Sequence, residues 1–104
     1  MGLNKFLTFS LDGEIYGLPI LRVQEIIGMM TVTKFPNSSD YIRGMINLRG
    51  KVIPVIDLRV RFGISKAEIT EKTCIIVLSM NNKTGEVRHG IMLDADKIFT
   101  ENSI

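Results

Sequence analysis

The sequence predicts a small all-β fold, a barrel of short strands joined by turns and brief helical turns. Short runs rich in Val, Ile, Phe and Thr recur between breaks containing Gly, Asp or Asn, the pattern of small barrels. Two of these runs, Met45 to Leu48 and Val52 to Ile56, flank the polar step Arg49-Gly50-Lys51 and give a hairpin signal. A third, Thr73 to Met80, is apolar almost throughout and reads as the clearest buried strand. With 104 residues, 45% of them hydrophobic, the chain suffices for one domain with one core over residues 1–104.

From the N-terminus, Phe6 to Leu11 alternates loosely, stops at the turn Asp12-Gly13-Glu14, and resumes as Ile15 to Pro19, a first hairpin. Ile20 to Arg22 suits a brief helical turn, and Val23 to Met29 suits a strand. Thr31 to Asn37 is a connector around Pro36, with Phe35 expected to drop into the core. Asn37-Ser38-Ser39-Asp40 is rich in N-capping residues and predicts one helical turn over Ser39 to Ile42. In the central hairpin, Pro54 removes a ladder donor, which predicts a sheet edge or a bulge there. Leu58 to Phe62 predicts a short helix stopped by Gly63. Ile64 to Lys72 is polar enough for a surface loop. After the buried strand, Asn81 to Gly85 is a turn, Val87 to Leu93 a returning strand, and Asp94 to Thr100 an expected closing helical turn.

Composition excludes more than it assigns. Thirteen basic against eleven acidic residues give a net charge of +2, too balanced for a nucleic-acid footprint. Arg43, Arg49, Lys51, Arg59 and Arg61 do cluster around the hairpin, but that region offers few aromatics for base stacking and the chain has no Trp. The single Cys74 fits a reducing compartment and a small core residue. No charged-then-apolar leader, membrane-length apolar run or myristoylation pattern is present, so the expected location is the cytosol. His89 has no Cys or second His near it in sequence, Asp94 and Asp96 read as a solvated turn, and Gly85 and Gly90 lack phosphate-loop spacing. No catalytic residue, metal site or cofactor is expected.

The stretch from Gly44-Met-Ile-Asn-Leu-Arg-Gly50 through Val-Ile-Pro-Val-Ile-Asp-Leu-Arg59 resembles the signature of CheW-like domains, the adaptor modules of bacterial chemotaxis. The resemblance extends from about Lys5 to about Leu78. It implies an SH3-like architecture, normally two five-stranded barrels side by side, and a non-catalytic role between transmembrane chemoreceptors and the CheA histidine kinase. In the family, the helical receptor tip sits in a groove between the barrels. Val23, Glu25, Gly44 and Arg49 match family positions linked to receptor or kinase engagement. Each also has an ordinary structural reading. Val23 can be core, Gly44 can serve a turn, and Arg49 reads equally as recognition or as a clamp on Asn47 and Asp57. Leu58, Val60 and Phe62 could extend a patch for the kinase's homologous module.

The chain is shorter than the family pattern. Leu93-Asp-Ala-Asp-Lys-Ile98 resembles the family's ending yet follows almost directly on Gly90-Ile91-Met92, so that either the chain is cut short soon after the Gly90 strand or, as the finished ending favours, an internal segment has been deleted. Strands of the two-barrel fold would then be missing, and open strand edges invite pairing with another chain. The expectation is one complete barrel with the rest rearranged, or a homodimer exchanging strands. A self-associating barrel without receptor coupling is the alternative function.

Overall fold

The computed structural model describes residues 4–11, 13–37, 39–63, 68–82, 85–94 and 98–103. In chain order these form β1 (Asn4–Leu11), β2 (Glu14–Pro19), a 3-10 turn (Ile20–Arg22), β3 (Val23–Gly28), β4 (Ile42–Leu48), β5 (Lys51–Asp57), α1 (Leu58–Arg61), β6 (Thr73–Asn82), β7 (Gly85–Asp94) and β8 (Ile98–Ser103). The strands build a three-stranded sheet, β2-β1-β8, and a five-stranded sheet, β3-β6-β7-β5-β4.

Alternation along β6 and β7 explains how one chain supports two cores. Ile75, Val77 and Met92 point into a cluster with Ile46, Ile53 and Val55, over which Ile27, Met29, Met30, Val32 and Leu48 pack. Ile76, Ile91 and Leu93 point the other way, against Leu7, Phe9 and Leu11 of β1. These central strands are therefore buried on both faces, which is why Thr73 to Leu78 reads as a continuous apolar run instead of an alternating one. Ile75→Val and Ile76→Val should each cost about 1 kcal/mol in urea unfolding. Sensitivity at only one of the two would contradict burial on both faces.

The five-stranded sheet curls through the segment after β3. Thr33 and Met45 exchange two backbone hydrogen bonds, Thr33 N–H to Met45 O at 2.9 Å and Met45 N–H to Thr33 O at 2.8 Å. The chain leaving one edge of the sheet thus covers the outer edge of β4. It is an open SH3-like barrel, held at this seam by a single bridge.

Several expectations are corrected. Pro54 lies in β5, an interior strand, and not at an edge; the register shift in this hairpin falls between Ile42 and Gly44. The ring is tolerated because Pro54 faces Met45, whose polar groups are turned to Thr33, and the parallel pairing with β7 starts one residue later at Val55. The expected helical turn over Ser39 to Ile42 is a single hydrogen-bonded turn, Ile42 N–H to Ser39 O at 3.0 Å, after which β4 begins; Ser38 lies outside the described residues. Phe35 stays exposed, because Val32 takes the inward position of that connector. The expected helical turn over Asp94 to Thr100 is overturned where it is described: Ile98–Ser103 is a strand, paired antiparallel with β1 from Phe9↔Ile98 to Asn4↔Ser103. The third strand of the small sheet therefore comes from the same chain. The 3-10 turn, the short helix α1 and both hairpins stand where the sequence predicts them.

Candidate functional site

The tip of the β4–β5 hairpin is tighter than the sequence suggests. Leu48 pairs with Lys51, leaving Arg49-Gly50 as a two-residue loop. Both residues have positive φ, 51° and 83°, the conformation of a type I′ turn. Asn47 supports it by accepting the Gly50 N–H at Oδ1, 3.0 Å. Glycine, asparagine and aspartate are the usual first residues of such turns, so an arginine there carries a conformational cost of about 1 kcal/mol. Its side chain is committed: Nη2 donates to both carboxylate oxygens of Glu25, at 2.6 Å to Oε2. Glu25 stands on β3, immediately after the register shift between Val23 and Glu25.

Two of the four resemblance-derived positions are thus joined, Glu25 to Arg49, and the pair is open to solvent, with the Arg49 side chain 67% exposed. Arg49 does not clamp Asp57. Val23 is half-buried and packs against the core beside β1. Gly44 is buried, and its requirement is structural. At φ +139° a Cβ would lie 2.0 Å from the Thr33 carbonyl oxygen, so only glycine lets β4 run against the Thr33 bridge.

Asp57 is the residue whose importance the sequence conceals. Fully buried, it caps α1 by accepting the Arg59 N–H at 3.0 Å. It also takes a two-pronged contact from Arg59, Nε to Oδ1 and Nη2 to Oδ2, both 3.0 Å, and a third partner in Arg43 at 3.0 Å. Arg59, 4% exposed, continues through Nη1 to Asp94 Oδ1 at 3.1 Å and to the Glu68 carbonyl at 2.8 Å. Burial by itself would raise the Asp57 carboxyl, but the hydrogen bonds and charge of Arg59, then of Arg43, outweigh it and hold the group below its usual range. Arg59 is likewise raised: desolvation opposes its charge, and Asp57 and Asp94 more than restore it. The available signal was an acid directly ahead of a predicted helix with an arginine two residues on, Asp57-Leu58-Arg59.

These contacts consume most of the basic cluster around the hairpin. Arg43 and Arg59 hold Asp57, Arg49 holds Glu25, and Arg61 lies over the Tyr41 ring, 5.4 Å from its centre. What remains is a poor phosphate-tracking surface. Of the expected patch, Leu58 and Val60 are half-buried, Leu58 against the core, while Phe62 is exposed and meets Tyr16 edge-on at 5.1 Å. Cys74 is buried, and burial, then the Asp94 charge, push its thiol up, away from nucleophilic use. Among the described residues no group of three or more His, Cys, Asp or Glu could hold a metal ion. No described helix is long and apolar enough to cross a membrane.

Comparison with known proteins finds relatives in sequence and in fold. Residues 5–95 match the family model of the CheW-like domain, further along the chain than the sequence signature reaches. The chain is similar to the chemotaxis protein CheW of Klebsiella aerogenes, 46% identical over 80 residues that make up 77% of this chain and 48% of that protein. The chemotaxis protein CheW of Bacillus subtilis is 40% identical over 76 residues, 73% of this chain and 49% of that one. Among solved structures, the scaffolding protein TtCheW from Thermoanaerobacter tengcongensis matches with a TM-score of 0.78 at 39% identity, over 94% of this chain and 63% of that one. The chain spans about half the length of the curated relatives it matches.

Proposed function

The chain belongs to the CheW-like domain family, and on that premise we propose that it acts as a cytoplasmic, non-catalytic adaptor joining a methyl-accepting chemoreceptor tip to a CheA-type histidine kinase. The observation that carries this reading is the Glu25–Arg49 pair. An exposed arginine in a backbone conformation it disfavours, at a hairpin tip, pointing its guanidinium at a partly exposed carboxylate, spends stability on a charged surface feature. Strain of that kind is characteristic of recognition sites. Glu25 and Arg49 would set register by charge, Val23 would contribute apolar area beside them, and Gly44 would shape the surface by fixing the β4 bulge. Leu58, Val60 and Phe62 would offer the second contact, to the kinase's homologous module, with the Phe62–Tyr16 pair as its exposed aromatic centre.

The whole of residues 1–104 is taken as one domain in this role, and its relatives' names, chemotaxis protein and scaffolding protein, are consistent with it. The test is a titration of the chain against a CheA-type kinase regulatory module, followed by receptor-coupled kinase activity. Arg49→Asn suits the turn better than arginine but removes the charge. It should leave folding stability within about 1 kcal/mol of the original, since exposed ion pairs contribute no more than that, and weaken kinase binding by about tenfold. Unchanged binding by this variant would remove the pair from the interface.

A further inference from the structure

Two hollows meet at one pair of cations on the side of the barrel seam. One, about 200 Å3, is walled by Met29, Met30, Val32, Ile69 and Met92, and opens onto the buried side of the five-stranded sheet. The other, a cleft of about 240 Å3, carries Asn37, Ser39 and Asp40. Lys34 and Arg43 line both. The Thr33–Met45 bridge fixes the connector that carries Lys34, and the bulge between Ile42 and Gly44 places Arg43 opposite it. Arg43 is held by Asp57 at 3.0 Å, so its guanidinium is anchored at the junction.

An apolar chamber beside an anchored cation, with a second, exposed lysine at the rim, suits a molecule with a hydrocarbon tail and a negative head. Size limits the tail: apolar cavities of roughly 150 Å3 accept benzene, and this open-sided hollow of about 200 Å3 has wall enough for a tail of about six to eight carbons. Methionine walls adapt to such a chain better than branched residues would. Charge limits the head. Asp57 already shares the Arg43 charge, and Asp40 lies across the polar cleft, which leaves room for one negative charge and opposes two. We propose that this composite site binds a medium-chain aliphatic monocarboxylate, its tail along Met29 and Met30 above the buried Met92 and its carboxylate at Lys34.

The experiment is a titration of the full chain, labelled with 13C at the methionine methyls, with sodium octanoate, and with octylamine and octanol as controls. Saturable shifts at Met29, Met30 and Met92 are expected below about 10 mM octanoate, with the exposed Met80 unmoved. Lys34→Ala, a surface change that leaves the barrel intact, should weaken octanoate by roughly fivefold while leaving octanol unaffected. Val32→Phe, which fills the chamber, should abolish the shifts. Octylamine binding as well as octanoate, an unchanged affinity in Lys34→Ala, or shifts absent from the three methyls would each overturn the proposal. None of these readouts involves a kinase or receptor, so they stand or fall separately from the adaptor role.

Discussion

Gly44→Ala is expected to lose at least about 3 kcal/mol of stability, and a larger side chain is expected to prevent folding. Two effects add. The φ of +139° lies in a region that a residue with a Cβ reaches only at a cost of about 1–3 kcal/mol. The added carbon would also stand 2.0 Å from the Thr33 oxygen, 2.7 Å from its carbonyl carbon and 2.9 Å from the Lys34 Cα. All three are backbone atoms, so no side-chain rotation relieves the clash, and the two Thr33–Met45 hydrogen bonds must give way at about 1 kcal/mol each. Urea unfolding of Gly44→Ala measures the loss. A change under 1 kcal/mol would mean that β4 does not run against Thr33. The same reasoning bears on function: any partner binding lost in a Gly44 variant must first be corrected for unfolding.

Removing Arg59 is the second large effect. Arg59→Ala leaves the fully buried Asp57 carboxylate without its two-pronged donor and Asp94 without its ion-pair partner, and should cost about 3–5 kcal/mol. Because the Asp57 pKa is lowered on folding, the stability it contributes is complete above its unfolded value of 3.8 and is lost as pH falls through the still lower folded value. Asp57→Asn keeps the shape and the cap but not the charge, so it should be less stable at neutral pH and lose this part of the acid dependence. Unfolding midpoints of the two proteins measured from pH 7 down to about pH 2.5 should therefore converge. A constant gap over that range would show that Asp57 is not the group being titrated.

Both effects arise from contacts that the sequence hides, and the pattern is instructive. The hairpins were legible because Asp12-Gly13 and Arg49-Gly50 signal their turns locally, and β6 because a buried strand is apolar on both faces. The ending was not. Asp94-Ala-Asp-Lys precedes Ile98-Phe99-Thr100 and suggests a helical turn, but β8 is decided by its partner β1 at the other end of the chain and by Ile98 packing on that core. Non-local pairing overrode local propensity. The site divides in the same way. Glu25 and Arg49 could be named through a family resemblance, but their pairing depends on the β3 register shift and the positive φ of Arg49, neither visible in a string of letters. Arg59 joins Asp57 to Asp94, which lies 35 positions beyond the arginine, for the same reason.

The adaptor reading is tested most directly by the affinity for a CheA-type kinase module of four proteins: the original chain, Glu25→Arg, Arg49→Glu and the double charge swap. Each single reversal sets like charges together and should weaken binding at least tenfold. The swap restores attraction within the chain, so folding stability should recover, but the charges presented to the partner are inverted and binding should remain weak. Equal affinity in all four proteins, or no binding by the original chain, would contradict the account.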